Sequence, residues 1–90
     1  MDIRKGENRF YVLQEGQEVG EITYQPKDDD RLVVDHTFVS EQLRGQGLAE
    51  ELVKTIVRFA REQHKKIIPV CPYVKIKLHQ NPDYQDVIAD

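Results

Sequence analysis

Two side chains in this sequence could act together as a nucleophile and a base, the thiol of Cys71 and the imidazole of His36. Cys71 precedes Pro72, a residue that favours the first position of a helix, and the positive end of a helix stabilises a thiolate. An imidazole close to a thiol can activate it as a nucleophile, or it can deprotonate an incoming amine. The alternatives are structural, because free cysteines are often buried and a histidine on an apolar face is often only hydrogen-bonded.

The second candidate for chemistry is a glycine-rich stretch, Arg44-Gly45-Gln46-Gly47-Leu48-Ala49. It lies between a predicted strand at 32–39 and a predicted helix at 49–62. The first N–H groups of a helix lack partners within the helix and carry partial positive charge, so they can bind a phosphate. No Ser, Thr, Asp or Asn at 44–48 is available to cap them. The alternative is a turn that only starts a helix, since neither a P-loop nor a dinucleotide fingerprint is present.

The two elements that flank this stretch follow from hydrophobic spacing. Alternation in the predicted strand places His36 on the same face as Leu32, Val34 and Phe38. The helix is predicted from apolar residues that repeat at three- and four-residue intervals and form one stripe. These residues are Ala49, Leu52, Val53, Ile56, Val57 and Ala60. The glycine-rich stretch should therefore join a strand to an amphipathic helix.

The N-terminal part of the chain predicts a hairpin. Segments 8–14 and 18–25 have the composition of strands, and Gly16 lies in the short polar connection between them. Sequential strands with short links are most simply antiparallel neighbours. We therefore expect these two strands and the strand at 32–39 to form an antiparallel group.

The C-terminal part predicts one more strand and one more helix. A short strand at 67–71 should lie parallel to the strand at 32–39, after the long helical crossover, and should pair weakly because Pro69 has no N–H. Pro72 should begin a final helix that ends at 81–82. The predicted fold class is α/β (α+β), a mixed and mostly antiparallel sheet with a long helix after the third strand and a short C-terminal helix.

Composition limits the classes of function. The 90 residues predict one domain spanning 1–90, and 39% hydrophobic with 32% charged residues is typical of a globular protein. A net charge of −3, with basic residues spread along the chain, argues against a nucleic-acid partner. The sequence contains no apolar run of membrane-spanning length, and its single cysteine cannot form an internal disulfide. We therefore expect a cytoplasmic protein without a membrane partner. The His and Cys spacing predicts no metal site.

The glycine-rich stretch, following a strand, resembles the Arg/Gln-x-x-Gly-x-Gly/Ala signature of the GNAT superfamily of acetyl-CoA-dependent N-acetyltransferases. Cys71-Pro72-Tyr73-Val74, together with His36, resembles a small single-domain subgroup in which a cysteine and a histidine face the acetyl group. The resemblance runs from about 32 to 84. It departs from the subgroup at Lys77, where an aromatic residue is usual.

This resemblance implies acetyl-CoA or coenzyme A as cosubstrate, entering a gap between the predicted third and fourth strands. The amides at 45–49 would hold its pyrophosphate, and its acetyl group would lie near the predicted catalytic residues, His36 and Cys71. Tyr73 and Tyr84 are candidates to protonate the departing thiolate. The predicted cosubstrate-binding residues are Phe38 and Val39, along which the pantetheine arm would run, with Arg44, Gly45, Gln46, Gly47, Leu48, Ala49 and Tyr73.

Three functions are compatible with these predictions. The first is transfer of an acetyl group to an amine acceptor, either a small molecule or a protein. That transfer would be direct, with His36 as the base, or would pass through an acetylated Cys71. The second is a non-catalytic module that binds coenzyme A or acyl-CoA as a sensor or partner subunit. The third is an interaction domain whose glycine-rich turn binds no ligand.

Overall fold

The computed structural model describes residues 2–89 and contains, within that range, one mixed sheet, two α-helices and two 3-10 segments. The elements are β1 (Asp2–Gly6), β2 (Arg9–Gln14), β3 (Gln17–Pro26), β4 (Arg31–Val39), a 3-10 segment (Glu41–Leu43), α1 (Leu48–Glu62), β5 (Lys66–Pro69), α2 (Pro72–Gln80) and a second 3-10 segment (Pro82–Val87).

The sheet has the order β1-β2-β3-β4-β5, and β5 pairs with β4 in parallel whereas the other pairs are antiparallel. The predicted fold class is confirmed, with one difference. The long helix follows the fourth strand instead of the third. The additional strand is β1, which precedes the predicted hairpin and which the sequence pattern does not indicate. This is an edge strand whose apolar side chain, Ile3, is only partly buried, so it lacks the alternation that marks an inner strand.

One apolar stripe packs α1 against the sheet. It comprises Leu48, Leu52, Val53, Ile56, Val57 and Ala60, all of which are buried. The predicted stripe is confirmed from residue 52 onward. Its first member is Leu48 rather than Ala49, which is half-buried, because the helix already begins at Leu48. The first turn of α1 is thereby anchored to the core.

A β-bulge interrupts the pairing of β3 with β4. Thr23 pairs with His36 but Tyr24 pairs with Val34, so Asp35 is an extra residue in β4. The carboxylate of Asp35 accepts a hydrogen bond of 2.6 Å from the hydroxyl of Thr23. Because side chains alternate along a strand, one extra residue inverts the faces on which all the following side chains lie.

This inversion changes the position of His36. Leu32 and Val34 are buried in the core, and beyond the bulge it is Thr37 that continues the core-facing row. His36 lies on the opposite face and is exposed. The prediction that His36 shares a face with Leu32 and Val34 is therefore wrong. Phe38 does share its face, and is 43% exposed there.

The strands β4 and β5 separate soon after they pair. Their last paired residues are Val34 and Pro69, and the carbonyl oxygen of Val34 accepts hydrogen bonds from the N–H groups of Val70 at 3.0 Å and Cys71 at 3.1 Å. Residues 35–39 of β4 then continue without a β5 partner. β5 ends at Pro69, before the end of the predicted strand at 71, because the chain then turns into α2. The sheet opens at this edge, as the resemblance implies.

The C-terminal segment covers the outer side of β5. Ile88 forms a parallel bridge with Ile67. Arg61, in the last turn of α1, forms an ion pair with Asp86 at 2.8 Å and also donates to the carbonyl oxygen of Asp83. A hydrogen bond from the Arg61 guanidinium holds the pKa of Asp86 below its ordinary value of 3.8. This ion pair therefore holds the second 3-10 segment against α1.

An Asp86→Asn variant should make stability less dependent on pH. A carboxyl whose pKa is lowered by folding stabilises the folded state above its unfolded pKa, and this contribution disappears as the pH falls through the lower folded value. We expect the wild-type protein to melt at a slightly higher temperature than the variant at neutral pH, and this difference should disappear as the pH falls below the folded-state pKa of Asp86. Circular dichroism melts measure both. A difference that persists unchanged in acid would contradict this assignment.

Candidate functional site

The glycine-rich stretch adopts a left-handed conformation at two positions between β4 and α1. Gly45 has a φ of +85°, and Gly47, the N-cap of α1, has a φ of +81°. Residues with a Cβ are disfavoured in this region. A Cβ placed on either glycine would meet no atom within 4 Å, so open space lies beside both. The backbone at this turn can therefore be approached closely by a ligand.

The start of α1 presents backbone donors that have no partner in the described part of the protein. The first hydrogen bond of the helix runs from the N–H of Glu51 to the carbonyl oxygen of Gly47 at 3.1 Å. The N–H groups of Leu48, Ala49 and Glu50 therefore have no acceptor within the helix, and no side chain caps them. With the positive end of the helix dipole, these donors favour a bound anion.

Gly20 of β3 brings this end of α1 close to the sheet. A Cβ at position 20 would lie 3.2 Å from Cδ2 of Leu48 and 3.3 Å from the carbonyl oxygen of Phe38. Such distances are shorter than ordinary packing contacts, so a larger residue would push Leu48 outward. The position of the free donors relative to β4 thus depends on a glycine in a neighbouring strand.

A cleft of about 680 Å³ extends from the glycine-rich stretch along the unpaired part of β4. Its volume lies within the range of small-molecule sites. It is lined by Thr37, Phe38, Val39, Leu43, Arg44, Gly45, Gly47, Leu48, Ala49, Glu50 and Tyr73. The free donors of α1, the exposed edge of β4 and a ring from α2 therefore face one space.

Eight of the nine predicted cosubstrate-binding residues line this cleft. The exception is Gln46, which lines a separate hollow. The structure adds Thr37, Leu43 and Glu50, which the sequence did not suggest. Glu50 could have been found, because it follows the glycine-rich stretch at a helix position whose N–H is free. Thr37 faces the core side only because of the bulge, and no pattern in the sequence indicates a bulge.

Cys71 lies where β4 and β5 separate, immediately before α2. Its thiol is within weak hydrogen-bonding distance of Thr37, with Sγ 3.5 Å from Oγ1, and the residue is 8% exposed. His36, exposed on the other face of β4, is not the hydrogen-bond partner of this thiol. The structure thus brings Cys71 together with Thr37, and does not form the predicted pair with His36.

An ion pair balances the charge at the edge of the cleft. The carboxylate of Glu50 lies 2.9 Å from Nζ of Lys77 in α2, and this hydrogen bond lowers the pKa of Glu50 and raises that of Lys77. The same ammonium is 5.6 Å from the centre of the Tyr73 ring. Burial raises the pKa of Tyr73, so its phenol stays protonated at neutral pH. Tyr84, the other candidate proton donor, lines a different pocket.

Neither His64 nor His79 lines the cleft. His64 follows α1 with a φ of 56°, and Nδ1 of His79 is 2.8 Å from the carbonyl oxygen of Lys75. Within residues 2–89, no group of three or more His, Cys, Asp or Glu side chains is placed to hold a metal ion. No helix in the same range combines the length and apolar character needed to cross a bilayer.

Residues 9–87 match the family model of GCN5-related N-acetyl-transferases. Two curated relatives named N-acetyltransferase 8B are 38% identical (Rattus norvegicus) and 40% identical (Homo sapiens) over 60 residues. These matches cover 60% of this chain, but only 27% and 26% of the two relatives. The chain therefore spans about a quarter of the curated relatives it matches.

Solved structures share the fold. A GCN5-like protein from Staphylococcus aureus is 42% identical, with a TM-score of 0.82, and the match covers 98% of this chain and 87% of that one. A GNAT family acetyltransferase from Elizabethkingia anophelis, solved with acetyl-CoA bound, is 17% identical with a TM-score of 0.65, covering 80% of this chain and 50% of that one. The second likeness shows the fold alone.

Proposed function

Because this chain belongs to the family of GCN5-related N-acetyl-transferases, we propose that it transfers the acetyl group of acetyl-CoA to an amine of a small molecule or a protein. One observation carries this proposal. The free backbone donors at 48–50 lie at a cleft that continues along the opened edge of the sheet. The bound acetyl-CoA of the Elizabethkingia protein supports the same cosubstrate here.

The residues at the start of α1 fit the diphosphate of coenzyme A. Free N–H groups and a helix dipole bind phosphate oxygens without needing a side chain. The left-handed Gly45 and Gly47 leave open space beside these donors, and Arg44 lines the same cleft with a positive charge. The side chain of Glu50 is 66% exposed, so water screens its repulsion of an anion bound at these donors.

The unpaired edge of β4 suits the pantetheine arm. Pantetheine contains amide groups, and the N–H and C=O groups of an open strand edge can pair with an extended chain of amides. Residues 35–39 form such an edge on the side where β5 turns away. The arm would lie beside Val39 and Phe38, and its thioester would approach Thr37 and Cys71, where the strands separate.

We infer direct transfer from the thioester to the amine. The amine nitrogen forms a bond to the carbonyl carbon, the bond from that carbon to sulfur breaks, and sulfur leaves with the electron pair. The nitrogen gives its proton to a base and the thiolate takes a proton from an acid. Tyr73 fits the acid, because it lines the cleft and burial keeps its phenol protonated. His36, exposed on the open face of β4, is the proposed base for an acceptor arriving from that side.

Cys71→Ala tests whether the acetyl group passes through the thiol. Since Cys71 is buried and hydrogen-bonded to Thr37, we expect this variant to keep most of the transfer activity. His36→Ala should lose about a hundredfold in rate, a typical cost of removing a general base. Mass spectrometry of the wild-type protein after incubation with acetyl-CoA alone should find Cys71 unmodified. An acetylated Cys71 that is discharged by amine, together with an inactive Cys71→Ala, would show the covalent route instead.

Calorimetric titration with acetyl-CoA tests the binding site. Gly47→Ala should weaken binding at least about tenfold, because a Cβ at this φ shifts the turn that presents the donors. Gly16→Ala is the matched control. Gly16 has a φ of +78°, with the same open surroundings, but lies in the β2–β3 turn outside the cleft. Equal affinity in the two variants, or no heat with the wild-type protein, would contradict the proposed site.

The second candidate function is a module that binds coenzyme A or acyl-CoA without turnover, as a sensor or partner subunit. One observation supports it: the hydrogen-bond partner of the Cys71 thiol is Thr37, whereas His36 is exposed on the other face of β4. Binding of acetyl-CoA with no transfer to polyamines, small amines or lysine-containing peptides would establish this function in place of the first. The cytoplasmic location that we expect from the composition is compatible with both proposed functions.

A further inference from the structure

A second pocket adjoins the cleft at Glu50. Its volume is about 280 Å³, and Glu50 lines both spaces. Lys77 and Gln80 of α2 line the same pocket, together with Asn81 and Tyr84, which follow that helix. An ammonium group, two side-chain amides and an aromatic ring therefore face a single space beside the free donors of α1.

Glu50 lines both the pocket and the cleft, and its ion pair with Lys77 can be broken when another anion competes for Lys77. The Glu50 side chain is 66% exposed and that of Lys77 is 31% exposed. Ion pairs in such positions are weak, because water competes for both charges. A phosphate monoester carries nearly two negative charges and three acceptor oxygens, so it competes well with one carboxylate for an ammonium. Lys77 could therefore leave Glu50 without leaving a buried charge unpaired.

Coenzyme A has a group of this kind, and the following step rests on the proposed function. Its diphosphate joins two arms, pantetheine and 3′-phosphoadenosine. When the donors at 48–50 hold the diphosphate and the pantetheine arm follows β4, the adenosine arm must leave in another direction. Glu50, whose N–H is one of those donors, lines both the pocket and the cleft. A ring and amides suit a nucleoside, and Lys77 is the cation among the described residues that line this pocket.

We propose that Lys77 determines specificity for the 3′-phosphate of coenzyme A, exchanging Glu50 for that phosphate when the cosubstrate binds. In the absence of ligand, Lys77 balances the carboxylate of Glu50, a residue whose N–H is one of the free donors. In the complex, its charge pairs with the ligand. Position 77 therefore separates coenzyme A from 3′-dephospho-coenzyme A, and the amides of α1 do not.

Calorimetric titration of three proteins with coenzyme A and with 3′-dephospho-coenzyme A tests this proposal. The wild-type protein should bind coenzyme A about tenfold more tightly than the dephospho compound, as expected for one charge-assisted hydrogen bond. Lys77→Met should bind the two compounds equally well. Lys54→Met is the matched control, because Lys54 also pairs with a glutamate of α1, at 3.8 Å, but lines neither space. It should keep the wild-type preference.

A second variant separates recognition of the 3′-phosphate from simple neutralisation of Glu50. Glu50→Gln removes the competing carboxylate, so it should bind coenzyme A more tightly and retain the preference for the 3′-phosphate. Lys77→Gln, checked by circular dichroism, repeats the test in case Lys77→Met does not fold. A preference that survives in the Lys77 variants, or is absent in the wild-type protein, would overturn the proposal. Failure of both compounds to bind the wild-type protein would refute the proposed function itself.

Discussion

Three backbone N–H groups at the start of α1 have no partner among the described residues, and the rest of the candidate site depends on them. A helix end normally satisfies such donors with a capping side chain, water or a ligand. Here the N-cap is Gly47 in a left-handed conformation, which supplies no side chain and holds the turn open. Gly20 allows Leu48 to pack closely, so the donors are fixed relative to the sheet. The site thus depends on backbone geometry and on the absence of side chains at Gly47 and Gly20.

The separation of β4 from β5 opens a cleft beside those donors. Pro69 ends the pairing, and the carbonyl of Val34 accepts from both of the next N–H groups before the chain enters α2. The free edge of β4 and the free end of α1 then border the same cleft. An extended ligand with an anionic centre and an amide-containing arm satisfies both, which is why acetyl-CoA explains the arrangement better than a compact anion would.

The sequence predicts the parts of this structure that repeat along the chain or are marked by special residues. The apolar stripe of α1, the glycines of the turn and Pro72 at the start of α2 each carry a local signal, and the structure confirms them as structural features. The bulge at Asp35 has no such signal, because it arises from the register between two strands. It places Thr37, and not His36, beside Cys71, a contact that no pattern in the sequence indicates. Edge strand β1 was missed for a related reason, since charged residues at an edge show no alternation.

The most direct test of this account is a titration of the ¹⁵N-labelled protein with coenzyme A, followed through its backbone amide resonances. The largest shifts should occur at 45–50, with smaller ones along 37–39, because the diphosphate accepts hydrogen bonds from the start of α1. Shifts confined to other parts of the chain, with the amides at 45–50 unchanged at saturation, would contradict the central claim that these donors bind the ligand.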